Sequence, residues 1–358
     1  MAGLSALKVV RDVPREIILR ELPVVRDHEA WVHPETLYAE TSDRWRIAVH
    51  HWASRGAVRR GPVLVVHGLA TNRVNLHPDP SHSIVLQMAQ AGFDVFVPEL
   101  RGAGLSRAPN GERAEEYHWG FGEYTGLDMP AVIRLVLERT GASSLHAVGH
   151  SMGGMLLYAH GTRRSDEIRS LVTLGTPSLR NAELRRRERR LLRLALKVMP
   201  ESAALRVPIR GLIGVAGSLP SLGAWFVDGT VVNSDNIETG VMLKMAQEAI
   251  DDVPFKLICD VAKRVFADDD YEGPFEFEEQ LYRVDCPALV MSGAVDGIAP
   301  PAAVERAALK LGGSQVRYRE MGTRFGDCID YGHIDLLVGK HAPQEVFPRI
   351  IEFLMEHD

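Results

Sequence analysis

The segment Leu145-His146-Ala147-Val148-Gly149-His150-Ser151-Met152-Gly153-Gly154 constrains the chain more than any other. Its first residues read as a short buried strand, and a helical pattern runs over 152–164. Between the two, Gly149-His150-Ser151-Met152-Gly153 fits G-x-S-x-G. A serine joining strand to helix with no intervening loop sits on a tight, strained turn. Side chains two positions either side would collide with neighbouring elements, so glycine is required there. The helix N-terminus then directs its positive dipole end at whatever the serine attacks. The five-residue pattern alone is common by chance, and the strand–motif–helix context is what makes it specific.

The rest of the chain repeats the alternation. Strands are expected at 44–52, 62–67, 93–98, 145–149, 168–174, 288–292 and 316–319, and helices at 81–91, 127–140, 152–164, 301–311 and 343–355. This order predicts an α/β fold, a mostly parallel sheet flanked by helices. The interval 177–283 breaks the rhythm. It holds helical segments and a Gly/Pro-rich apolar stretch but no convincing strand, and is expected to be a mainly helical lid inserted into the sheet domain. The core is then 41–176 with 284–358, and residues 1–40, which lack clear periodicity, form an extension packed on its outside.

A chain of 358 residues, 46% apolar and 25% charged, can bury a large core without staples. Its net charge of −6 gives no overall bias toward nucleic acid or anionic membranes. Cys259, Cys286 and Cys328 are odd in number and match no zinc spacing, so they read as free thiols in a reducing compartment. Charges interrupt the first residues too often for a signal-peptide core, and no run of about 18 apolar residues occurs. A cytoplasmic location is expected.

A serine hydroxyl is a weak nucleophile and needs a base, which in turn needs a carboxylate to orient it. On such a sheet the chain order is serine, acid, histidine. Asp296 lies in SGAVDGIAPP, just past a strand end where ligands bind in these sheets. His333 lies in DYGHIDLL, past the following strand and loop. Asp327, Asp330 and Asp335 flank that histidine, and Asp330 or Asp335 stays open as an alternative acid. His67-Gly68-Leu69 follows the first buried strand, where a turn would aim the Leu69 N–H at the same point as the Met152 N–H. These two backbone groups are the expected oxyanion donors.

Other residues take plainer readings. His150 is structural, with its side chain directed away from that of Ser151. His77, Asp79 and His82 belong to a solvated loop and helix start rather than a metal site, and the acidic run at 268–270 is a solvated loop rather than a calcium site. Residues 180–197 carry eight basic side chains against two acidic ones. They read as a solvated face, with peripheral contact to anionic lipid as the alternative.

HGLATN, FDVFVPELRGAGLS, EYTGLDMPAVIRLVLERTG, LHAVGHSMGG, SGAVDGIAPP and YGHIDLLVGKHAPQEVFPRIIEFL together resemble bacterial α/β-hydrolases. Among better-known groups they are most similar to the acid lipases of the lysosomal and gastric type. The resemblance covers roughly 44–180 and 284–355 and implies the α/β-hydrolase fold, Ser151, Asp296 and His333 as triad, and Leu69 and Met152 as oxyanion donors. The interval 177–283 does not match those lipases, so their triacylglycerol and sterol ester substrates are not implied. The expected activity is that of a serine hydrolase cleaving a small-molecule or lipid-like ester with an apolar acyl group through an acyl-enzyme, without metal or organic cofactor. An acyltransferase, a thioesterase or a C–C hydrolase would use the same triad. A non-catalytic binding protein on this scaffold is the rival from another class.

Overall fold

The apolar runs line up as one eight-stranded sheet in the computed structural model, which describes residues 34–55, 57–114, 117–179, 205–211, 231–266 and 273–358. Its strands are β1 (Glu35–Glu40), β2 (Arg46–Trp52), β3 (Pro62–Val66), β4 (Asp94–Glu99), β5 (Leu145–His150), β6 (Ile168–Leu174), β7 (Ala288–Gly293) and β8 (Val316–Met321). Their spatial order is β1-β2-β4-β3-β5-β6-β7-β8. β2 runs antiparallel to both its neighbours, and every other pairing is parallel.

Period-two alternation divides the core between the two faces of this sheet. Leu64 and Val66 of β3 face one side with Ala147 of β5, under α2 (Met129–Thr140) and α3 (Met152–Gly161). Val63 and Val65 face the other with Val148, under α1 (Ile84–Gln90) and α5 (Phe347–Glu356). Both faces are covered, so β3 and β5 are buried along their whole length. A further helix, α4 (Pro301–Lys310), follows β7. Ser83 caps α1 by accepting from Leu86 N–H at 3.0 Å, and Gly141, in the left-handed region with φ 71°, ends α2.

The structure departs from the sequence reading in three places. Residues 35–40, assigned to the outer extension, are the edge strand β1. Only Ala39 is fully buried there, so the hydrophobic alternation is faint. The helix expected over 343–355 is two, Ala342–Glu345 and Phe347–Glu356, because Pro348 cannot continue an earlier turn and instead starts a new one. The interval read as strandless contains a two-residue antiparallel pairing of Arg206–Val207 with Val253–Pro254. The basic stretch at 180–197 and the acidic run at 268–270 lie outside the described residues, as do residues 1–33. No helix among the described residues is long and apolar enough to cross a membrane.

His146 of β5 gives the fold a measurable acid sensitivity. Its ring is buried between Ser170 Oγ at 2.7 Å and Asp358 Oδ1 at 3.4 Å. Burial pushes it down to about 4 despite the nearby Asp358 carboxylate. The unfolded chain therefore takes up the proton first as pH falls. The contribution is fully present above the ordinary histidine value of about 6.5 and is lost on the way to about 4. Between pH 7 and 5 this removes about 2 kcal/mol. His146→Gln should flatten the pH dependence of the urea-unfolding free energy by that amount. Parallel curves for the two proteins would rule His146 out as the source.

Candidate active site

Ser151 joins β5 to α3 with φ 54° and ψ −121°. Only Arg44 and Ala70 share a positive φ among the described non-glycine residues. Such a backbone costs on the order of 1–3 kcal/mol and persists only where its surroundings hold it. Here Ser151 N–H donates to Leu174 O at 2.8 Å, while its carbonyl accepts from Gly154 N–H at 3.0 Å and Thr176 Oγ1 at 3.2 Å. A Cβ on Gly153 would stand 2.3 Å from the carbonyl oxygen of Val66, so the first turn of α3 can lie against β3 only with glycine there.

The turn directs Ser151 at His333. Ser151 Oγ donates to His333 Nε2 at 2.9 Å, and His333 Nδ1 donates to Asp296 Oδ2 at 2.7 Å. An ionised carboxylate can only accept, so the pairing with Asp296 sets the proton on Nδ1 and leaves Nε2 as the acceptor for the serine proton. The Asp296 side chain is fully buried, and its Oδ1 accepts from Ile298 N–H at 2.9 Å and Ala299 N–H at 2.7 Å. Two backbone donors and the imidazole thus hold its orientation.

The flanking aspartates are engaged elsewhere. Asp330 Oδ1 accepts from the backbone N–H and hydroxyl of Thr323 at 2.7 and 2.8 Å. Asp335 accepts from Gly332 N–H and Asn236 Nδ2, and burial pushes its carboxyl up. Asp327 pairs with Arg319 and Arg349. Of the candidate acids, only Asp296 has a hydrogen bond to the His333 ring.

Leu69 follows Gly68 in the chain, and Met152 follows Ser151. Met152 opens α3, so its N–H has no intrahelical acceptor. Among the described residues neither this N–H nor that of Leu69 donates to another protein group. The preceding Gly68 packs on Ser151, where an added Cβ would be 3.3 Å from the serine Cβ. His67 Nδ1 donates to Gly68 O at 2.9 Å, and its Nε2 accepts from Leu100 N–H at 3.4 Å. Burial holds this imidazole below its usual range, which suits that neutral arrangement.

One neighbour of Ser151, His333 and Asp296 escaped sequence reasoning. Gly175 has φ 54°, and a Cβ there would be 3.0 Å from His333 Nδ1 and 3.2 Å from Asp296 Oδ2. It leaves room for the His333–Asp296 pair where β6 ends, and no motif flags it. His150, read as structural, has its ring 4.8 Å from that of His333 and its Nε2 3.1 Å from the His333 carbonyl, to which it donates. Burial, then the adjacent His333, pushes His150 down to about 3, so it stays neutral and keeps donating. Away from the triad, His82 faces the Asp79 carboxylate at 3.0 Å and His77 faces Ser83 at 2.8 Å. Among the described residues no cluster of three or more His, Cys, Asp or Glu could hold a metal ion.

Comparison with known proteins agrees with this architecture. The family model for the alpha/beta hydrolase fold matches residues 61–211. Lipase lipl-3 of Caenorhabditis elegans is 30% identical over 143 residues, which cover 37% of this chain and 35% of the lipase. Gastric triacylglycerol lipase of Rattus norvegicus is 32% identical over 99 residues, 26% of this chain and 25% of that one. The chain thus spans about a third or less of these relatives' lengths. Among solved structures, the monoacylglycerol lipase of Paleococcus ferrophilus superposes with a TM-score of 0.61 over 87% of this chain and 99% of that one, at 18% identity.

Proposed function

We propose that this chain, which has the α/β-hydrolase fold and resembles lipases in its core, cleaves a carboxylic ester bearing an apolar acyl group through an acyl-enzyme on Ser151. Ser151 Oγ attacks the ester carbonyl while His333 Nε2 takes its proton. Asp296 stabilises the resulting imidazolium and keeps its orientation. Leu69 and Met152 N–H groups receive the developing oxyanion. The tetrahedral adduct collapses, and His333 returns the proton to the leaving alcohol. Water then attacks the acyl-enzyme, giving its proton to His333, and the acid leaves as Ser151 is reprotonated. The single observation that carries this reading is the unbroken chain from Ser151 through His333 to buried Asp296. The apolar acyl group is inferred from the interval 177–283, which is rich in Leu, Val, Phe, Trp and Gly.

The test combines labelling with turnover. A fluorophosphonate should modify Ser151 in the native protein, and p-nitrophenyl esters of graded chain length should be hydrolysed with the acid as product. The ratio kcat/KM should fall toward acid, because a protonated His333 cannot accept the serine proton. A native protein that stays unlabelled and turns over no ester would overturn the reading. A profile that does not fall toward acid would remove His333 as base.

A further inference from the structure

The loop carrying Leu69 is held in place by a segment distant in sequence. Ala70, the next residue, has φ 57°, a left-handed conformation that costs an L-residue about 1–2 kcal/mol. The loop does not adopt that shape by local preference, so its neighbours must impose it. Ala70 O accepts from Asp251 N–H at 2.9 Å, and Asn72 N–H donates to Ala249 O at 3.1 Å. Between these bonds, Thr71 and Ile250 face each other in an antiparallel bridge. Asn72 Nδ2 donates to Glu248 O at 2.8 Å and to Asp251 Oδ2 at 2.9 Å. The same Asp251 oxygen accepts from Gly104 N–H at 3.1 Å, and both Asn72 and Asp251 are buried.

We propose that Asn72 and Asp251 are positioning residues. Their clasp keeps Ala70 left-handed and thereby aims the Leu69 N–H at the oxyanion. This inference rests on the acyl-transfer reading of Ser151. It makes the oxyanion donor dependent on residues 248–251, which lie in the long connection between β6 and β7.

Asn72→Asp isolates the clasp. It keeps the Oδ1 that caps Val74 N–H at 3.0 Å, loses both Nδ2 donors and sets a second carboxylate against Asp251. Removal of a whole oxyanion donor costs on the order of 10²–10³ in kcat, so a misaimed one should cost about 10- to 100-fold. With a p-nitrophenyl ester we expect that loss in kcat, KM within about twofold and an unmoved acid limb, since the triad is untouched. Phosphonylation of Ser151 should slow by a similar factor, because its developing oxyanion uses the same donors. Ala70→Gly in the Asn72→Asp background should restore about fivefold, because glycine adopts the left-handed shape without the steric cost. Asp251→Asn, which retains an oxygen for Asn72 and Gly104, should cost less than about threefold. If Asn72→Asp lacks a cooperative melt, Asp251→Ala carries the same expectations as Asn72→Asp.

A folded Asn72→Asp protein with wild-type kcat and labelling overturns the clasp. So does a loss confined to KM, a shifted acid limb, or a kcat loss that Ala70→Gly leaves unchanged. A wild-type protein that neither labels at Ser151 nor turns over esters overturns the acyl-transfer reading, and the clasp with it.

Discussion

Ser151→Ala should lower kcat by at least on the order of 10⁴-fold while leaving the fold intact. The substitution removes one oxygen whose protein hydrogen bond is the one to His333 Nε2. The strained backbone stays anchored, because the bonds from Ser151 N–H to Leu174 and from Gly154 and Thr176 to the Ser151 carbonyl do not involve its side chain. Alanine meets the positive φ of 54° with the same Cβ as serine, so the conformational penalty is unchanged. A factor of 10⁴ is about 5.5 kcal/mol of barrier, the order expected when covalent catalysis is lost and only substrate binding, the oxyanion donors and a His333-activated water remain. Steady-state turnover and thermal melting on the same preparation check both halves. More than a tenth of wild-type kcat in a protein of unchanged melting temperature would show that another group is the nucleophile. Loss of melting stability by several degrees would instead show that the hydroxyl supports the turn.

What was legible in the chain follows from the range over which each signal acts. β3 and β5 are wholly buried, so their apolar runs stand out, and the motif after β5 places Ser151 without further help. β1 was illegible because an edge strand with one fully buried residue leaves almost no periodic trace. The order serine, acid, histidine and the strand end before it pointed to Asp296, with Asp330 or Asp335 left open as alternatives. What separates them is a contact made across the fold, between the turn after β7 and the loop after β8. Gly175, Asn72 and Asp251 were missed for the same reason. Gly175 matters through its closeness to His333, and Asn72 through a partner 179 positions away. Residue type and local spacing carry no trace of either contact. The split of the final helix at Pro348 was a local signal, and there the periodic pattern on both sides obscured a legible stop.

Asp296→Asn should cost on the order of 10⁴-fold in kcat, and the carboxylate's own hydrogen bonds explain why the substitution is more than the loss of a charge. Asp296 Oδ1 accepts from the N–H groups of Ile298 and Ala299. In the asparagine variant those two donors claim the amide oxygen, because an NH₂ pointed at them would leave the buried N–H groups unpaired. The NH₂ is thereby directed at the place of Oδ2, which faces His333 Nδ1 at 2.7 Å in the wild type. It donates to Nδ1, and the imidazole proton moves to Nε2. Nε2 then cannot accept from Ser151, although every heavy atom stays where it was. Fluorophosphonate labelling should slow in parallel with turnover, with KM little changed. Asp330→Asn should cost far less, since its carboxylate serves the Thr323 turn. Asp335→Asn should act mainly on stability, since it disturbs bonds to Gly332 and Asn236 and leaves the imidazole tautomer alone. The comparison is decisive in either direction. If Asp330→Asn or Asp335→Asn is the severe variant and Asp296→Asn retains more than a tenth of wild-type kcat, the orienting acid is not Asp296.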